Sequence, residues 1–232
     1  MKALLLSNST NFGQSYMQHA KTAIAGFLGE IKEVLFIPYA GVTVTYDQYA
    51  ETVQNALGEF GIKVISIHTY DDPKEAVGNA KAIAVGGGNT FRLVQQLQEK
   101  GLIDEIKNKV VQNTPYIGWS AGSNVAGPTL CTTNDMPIVQ PTSFDCINLV
   151  PYQINPHYSE ATIPNHGGES RKARLMEYIT LSKKDVVCLP EASWLAIEDG
   201  KTTYHGDGNM KVYRHPNQVL DFESTEANSY FN

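Results

Sequence analysis

The stretch Pro115-Tyr116-Ile117-Gly118-Trp119-Ser120-Ala121-Gly122-Ser123-Asn124 narrows the folds open to this chain more than any other. An apolar run ends on a serine held between two glycines and passes directly into small residues suited to a helix. A serine at the apex of a tight strand-to-helix turn leaves no room for Cβ atoms two positions before and after it, and Gly118 and Gly122 occupy those positions. The pattern predicts a nucleophile elbow: a buried strand, a sharp turn, and a helix whose first N–H groups point at the Ser120 hydroxyl. Nucleophile and oxyanion donors then converge on one point, as acyl transfer requires.

The rest of the chain supplies the sheet that such an elbow needs. Residues 2–6 and 34–38 read as buried strands, 62–67 alternates as a third, and 82–85 forms a fourth. Between them lie a helix carrying Met17, Ala20, Ile24, Phe27 and Leu28 on one face, and a second that buries Tyr49, Val53, Leu57 and Phe60 behind a Thr45–Gln48 capping box. Helices over 89–98 and 102–111 lead to the elbow strand. This βαβ rhythm predicts an α/β fold, a doubly wound and mainly parallel sheet sandwiched by helices.

Beyond the elbow, Thr132 to Pro137 reads as a polar turn between short strands, 149–158 as extended, and 169–181 as a helix. From Asp185 onward, short strands and Asp-Gly turns predict an antiparallel C-terminal extension of the sheet. No linker or repeat interrupts the chain, so residues 1–232 are expected to form one domain.

Strand four runs into Gly86-Gly87-Gly88-Asn89-Thr90, which is neither a dinucleotide fingerprint nor a phosphate loop. Carboxyl ends of parallel strands gather on one edge, so this turn is expected beside Ser120, with Gly88 N–H and Ala121 N–H as the oxyanion donors.

A serine nucleophile needs an imidazole, and the imidazole needs an orienting partner. His157 and His166 both follow the elbow strand. His157 is the better placed, because Asn155-Pro156 makes a stiff extended arm before it. Asp135, in a turn before proline, and Glu191, after the apolar run 186–190, are the candidate acids, and the sequence does not choose between them.

With 24 acidic against 18 basic residues and a net charge of −6, the chain has no basic stripe for nucleic acid. No apolar run approaches a membrane span, the first residues are too short a stretch for a signal peptide, and a cytoplasmic location is expected. Cys131, Cys146 and Cys188 are expected as buried thiols. No metal-binding motif is present, and neither metal nor cofactor is expected.

Several blocks in order resemble peptidase E, the α-aspartyl dipeptidase family of serine peptidases. They are 4–10, 36–43, 85–91, 117–122, 132–139 and 153–157, and the similarity fades after Trp194. The resemblance implies a sandwich like that of class I glutamine amidotransferases, with Ser120 as nucleophile and His157 as general base. It carries both acids over: Asp135 as indispensable for activity, Glu191 as the hydrogen-bond partner of His157. It implies a dipeptide substrate with an N-terminal aspartate, whose carboxylate calls for a cation, and Arg171 matches a family position for that task. Asn89 or Glu169 would help to close the pocket around so short a substrate. The expected protein is a monomer or homodimer acting on a small peptide. A cyanophycinase-type hydrolase of β-aspartyl peptides, and an esterase using the same elbow, are the competing readings.

Overall fold

The computed structural model describes residues 1–161, 167–223 and 227–231. Its first half runs β1 (Ala3–Leu6), α1 (Lys21–Leu28), β2 (Glu33–Ile37), α2 (Tyr46–Leu57), β3 (Lys63–Ser66), α3 (Pro73–Asn79), β4 (Ile83–Val85), α4 (Thr90–Glu99), α5 (Ile103–Val111), β5 (Tyr116–Trp119) and α6 (Ala121–Asn124). The second half runs β6 (Gln153–Asn155), α7 (Arg171–Ser182), β7 (Val186–Cys188), β8 (Trp194–Glu198), β9 (Lys201–His205), β10 (Met210–Arg214) and β11 (Gln218–Phe222).

The main sheet has the order β3-β2-β4-β5-β1-β8-β9, parallel from β3 to β1. Strand residues alternate between two apolar layers, as the pleat dictates. Leu4, Leu6, Val34, Phe36 and Trp119 pack under α1 and α2 through Ile24, Phe27, Val53 and Leu57. Leu5, Leu35, Ile37, Ile83, Val85 and Tyr116 pack on the other side against Val77, Leu93, Leu97, Ile106 and Val110. The predicted α/β architecture is therefore the observed one. The Thr45–Gln48 capping box forms in full.

Three expectations about local structure are corrected, and one helix, α3, was not expected. The chain after Asp185 does not simply extend the sheet. β8 and β9 do so, antiparallel beside β1, but β7, β10 and β11 join β6 in a second sheet of order β11-β10-β7-β6. The turn at 132–137 is flanked by no strands, only by an isolated bridge between Thr129 and Asp145, because its side chains hydrogen-bond to β6 and to the first turn of α4. Met17 and Ala20 lie in the turn before α1 yet are fully buried. The short helix α3 was signalled by Asp72, whose carboxylate caps Lys74 and Glu75 ahead of Pro73 at the first helical position.

Candidate active site

β5 ends at Trp119, and Ser120 takes φ of +53° before α6 begins. That left-handed conformation is costly for a non-glycine residue, and the surroundings hold it in place. The Ser120 N–H bonds to the Leu6 carbonyl at 3.1 Å, and Ser123 Oγ donates to Leu6 O at 2.6 Å and to Gly118 O at 2.9 Å. A Cβ at Gly118 would collide with the Gly122 backbone, and one at Gly122 with the Val85 backbone. The elbow is thus wedged between its own helix and β4.

β4 and β5 are neighbours with Val85 opposite Gly118, so the glycine turn emerges beside Ser120 as the parallel order predicts. Gly88 adopts φ of +134°, and a side chain there would strike the Ala40 backbone. Its following residue anchors the turn through Asn89 N–H to Ala40 O at 2.8 Å. Among the described residues, the N–H groups of Gly88 and Ala121 have no backbone acceptor.

The second sheet delivers the imidazole. β6 and β7 run parallel with Asn155 opposite Cys188, so the segments leaving their carboxyl ends, 156–157 and 189–191, lie side by side. His157 Nε2 is 2.8 Å from Ser120 Oγ, and His157 Nδ1 is 2.7 Å from Glu191 Oε1. A carboxylate only accepts, so Nδ1 carries the ring proton and Nε2 turns its lone pair to the Ser120 hydroxyl. His157 has φ of +54°, and its N–H is held by Ser7 Oγ at 2.8 Å. Ser7 also donates to Leu189 O at 2.8 Å, bracing β1, β6 and β7 together. Sequence reasoning missed Ser7, although its place just past β1 puts it on the same edge. His166 lies outside the described residues.

Asp135 does not reach His157. Its Oδ2 accepts from Thr90 N–H at 2.7 Å, Thr90 Oγ1 at 2.6 Å and Thr133 Oγ1 at 3.0 Å, so it is an anion on the first turn of α4. Asn89 caps the same helix through Arg92 N–H and ties it to Met136 O at 2.9 Å. Both residues fix the helix that leaves the glycine turn.

Ser120 and His157 open into a cleft of about 910 Å³, whose wall also includes Tyr16, Gln48, Tyr49, Gly88 and Asn89. Tyr16 Oη is buried there. Of the three residues expected to bind substrate, Asn89 lines this wall and the other two do not. Glu169 is exposed in the segment before α7. Arg171 faces a neighbouring pocket with Asn134, Asp135, Asn155 and Arg174, its Nη1 donating to Asn155 Oδ1 at 3.3 Å and His157 O at 3.4 Å. The reason is topological: α7 packs on the second sheet, behind His157 rather than in front of it. Burial, with Arg174 nearby, depresses the ionisation of Arg171, and no ion pair relieves it among the described residues.

Other chemistry-bearing residues fall elsewhere. His68 bonds Asp47, and His205 stacks on Trp194. Cys131 is exposed, a correction to the expectation of three buried thiols, because it sits in the surface turn after Leu130; Cys146 and Cys188 are buried. Among the described residues, no cluster could hold a metal ion, and no helix is long and apolar enough to cross a membrane.

Known proteins resemble this chain over nearly its whole length. Peptidase E of Nostoc sp. (strain PCC 7120 / SAG 25.82 / UTEX 2576) is 49% identical over 233 residues, covering 95% of this chain and 96% of that one. Peptidase E of Shigella flexneri serotype 5b (strain 8401) is 42% identical over 225 residues, covering 97% and 98%. The fold is shared with a crystal structure of a peptidase from an acI-B1 actinobacterium, at a TM-score of 0.70 and 15% identity, covering 94% of this chain and 93% of that one. A structure from Listeria monocytogenes EGD-e ascribed to peptidase E gives 0.67 at 23% identity, covering 88% and 97%. With the model for peptidase family S51 matching residues 3–205 as well, the chain belongs to that family and is a peptidase.

Proposed function

We propose that this peptidase cleaves dipeptides carrying an N-terminal aspartate, through an acyl-enzyme on Ser120. The observation that carries the reading is the continuous line from Ser120 Oγ through the His157 ring to Glu191, at 2.8 and 2.7 Å, at the mouth of a cleft. Ser120 Oγ attacks the scissile carbonyl while His157 Nε2 takes its proton. The oxyanion forms beside the N–H groups of Gly88 and Ala121. The C–N bond then breaks as His157 returns the proton to the leaving amine, and water, deprotonated by the same imidazole, releases aspartate. Glu191 holds the ring in the required tautomer. Asp135 acts one step removed, through the start of α4.

The aspartyl preference rests on the likeness to peptidase E; Arg171, the guanidinium expected to serve it, donates to Asn155 Oδ1 and His157 O beside a neighbouring pocket, outside the cleft wall. The test is hydrolysis of Asp-Leu beside Asn-Leu, β-Asp-Leu and acetyl-Asp-Leu, with Ser120→Ala as control. Cleavage of Asp-Leu alone, lost in the variant, is the expected result. Preference for β-Asp-Leu assigns the chain to isopeptide chemistry instead, and activity only on acetyl esters makes it an esterase.

A further inference from the structure

We infer that Tyr49 is a positioning residue for the oxyanion donor at Gly88; the inference rests on the acyl-enzyme reading. Tyr49 stands on α2, far in sequence from both halves of the site. Its hydroxyl donates to the Gly87 carbonyl at 3.0 Å and accepts from Trp119 Nε1–H at 3.0 Å. The Gly87 carbonyl and the Gly88 N–H belong to one planar trans peptide and point in opposite directions. A hydrogen bond that fixes the carbonyl therefore fixes the direction of the N–H.

The arrangement is built closely enough to set that direction. A Cβ on Gly86 would lie 2.7 Å from the Tyr49 hydroxyl, and one on Gly87 would lie 3.0 Å from Ser120 Cβ. Each of these glycines gives room to a different partner, Tyr49 for the first and the elbow for the second. Phe36 stacks on Trp119 with centroids 5.7 Å apart and meets Tyr49 edge-on at 5.0 Å, so neither hydrogen-bonding ring is free to tilt. Trp119 immediately precedes Ser120. The Trp119–Tyr49–Gly87 chain thus couples the elbow to the peptide plane opposite it, so that nucleophile and oxyanion donor keep a common register. Burial raises the Tyr49 phenol above its ordinary value, which keeps it a donor.

The experiment compares the full-length protein with Tyr49→Phe and Trp119→Phe, using Asp-Leu hydrolysis and the rate of Ser120 phosphonylation by a fluorophosphonate. Tyr49→Phe keeps the ring and loses only the hydroxyl. It is expected to lower kcat about 10- to 100-fold, less than outright removal of an oxyanion donor, with KM unchanged. Phosphonylation slows in parallel, because that transition state uses the same hole. Binding of aspartyl aldehyde, which forms a tetrahedral adduct, weakens in proportion, while binding of aspartate does not. Trp119→Phe gives a smaller loss of the same kind. A Tyr49→Phe enzyme with unaltered kcat and phosphonylation, or one whose losses merely follow its melting temperature, overturns the inference. If Ser120→Ala retains activity, the acyl-enzyme reading itself fails; if wild type ignores Asp-Leu but is phosphonylated, only the substrate is wrong and the phosphonylation comparison still decides the role of Tyr49.

Discussion

The Ser7 hydroxyl accepts the backbone N–H of His157 at 2.8 Å, tying the end of β1 in one sheet to the end of β6 in the other. Without it the His157 N–H would lose its acceptor beside the fully buried Ser7, while Leu189 O would keep the Tyr158 N–H at 2.9 Å. Ser7→Ala is expected to cost about 1–3 kcal/mol of stability, a fall of roughly 2–10 °C in melting temperature. It should also lower kcat about 10-fold, because small displacements of a catalytic group are expensive. Ser7→Thr, which keeps the hydroxyl, should recover most of the loss. A Ser7→Ala enzyme with wild-type kcat would mean that the imidazole is placed without this tie.

The two acids separate by what replaces them. Glu191→Ala is expected to lower kcat on Asp-Leu about 100-fold, the lower end of the range for acid–base groups, because both partners of the pair are partly exposed. Its melting temperature should barely move. Asp135 serves as an acceptor for Thr90 and Thr133, so Asp135→Asn, which retains an oxygen, should keep much of the activity. Asp135→Ala should lose about 1 kcal/mol of stability with the cap, and activity with it. An Asp135→Asn enzyme as dead as Ser120→Ala would return Asp135 to the reaction centre.

Much of this site was legible in the sequence because its parts follow from local rules. Ser120 announces itself by the glycines its turn requires, and the nearness of Gly88 follows from parallel strand order alone. The choice of Glu191 over Asp135 was not legible. It depends on β7 lying parallel beside β6 in a separate sheet, a long-range pairing that no spacing in the chain encodes. Arg171 shows the same limit. Its type suits an aspartyl carboxylate, but α7 packs behind His157, and packing direction is not written in the Gly168-Glu169-Ser170-Arg171 sequence. Tyr49 read as one more apolar helix residue; only the fold reveals that its hydroxyl meets Gly87 and Trp119.

The thiols report on the second sheet. Cys131 is exposed, whereas burial pushes the Cys146 and Cys188 thiols up and shields them. In the native protein, one thiol should react rapidly with a disulfide reagent, and all three of the chain's cysteines in denaturant. Substituting Cys131 by serine should abolish the fast phase. Rapid reaction of Cys188 as well would mean that β7, which carries it, is less well covered than its packing requires.

Acid should loosen the Glu191 segment before it protonates most carboxylates. Trp194, close after Glu191, lies between two imidazoles: His205 stacked at 5.5 Å and His19 tilted at 6.5 Å. Burial holds both below the ordinary value of 6.5, and for His19 it outweighs the attraction of Glu191. A depressed folded-state value means that the folded protein binds the proton less readily than the unfolded chain does. The associated stability is present above pH 6.5 and is lost as the pH falls from there through the folded values. Wild type should therefore show a falling melting temperature below that pH. His205→Phe, which keeps a ring against Trp194, should flatten the decline, and His19→Phe should flatten it further, since neither variant has a proton to bind there. If both variants keep the wild-type slope, the acid sensitivity arises elsewhere in the fold.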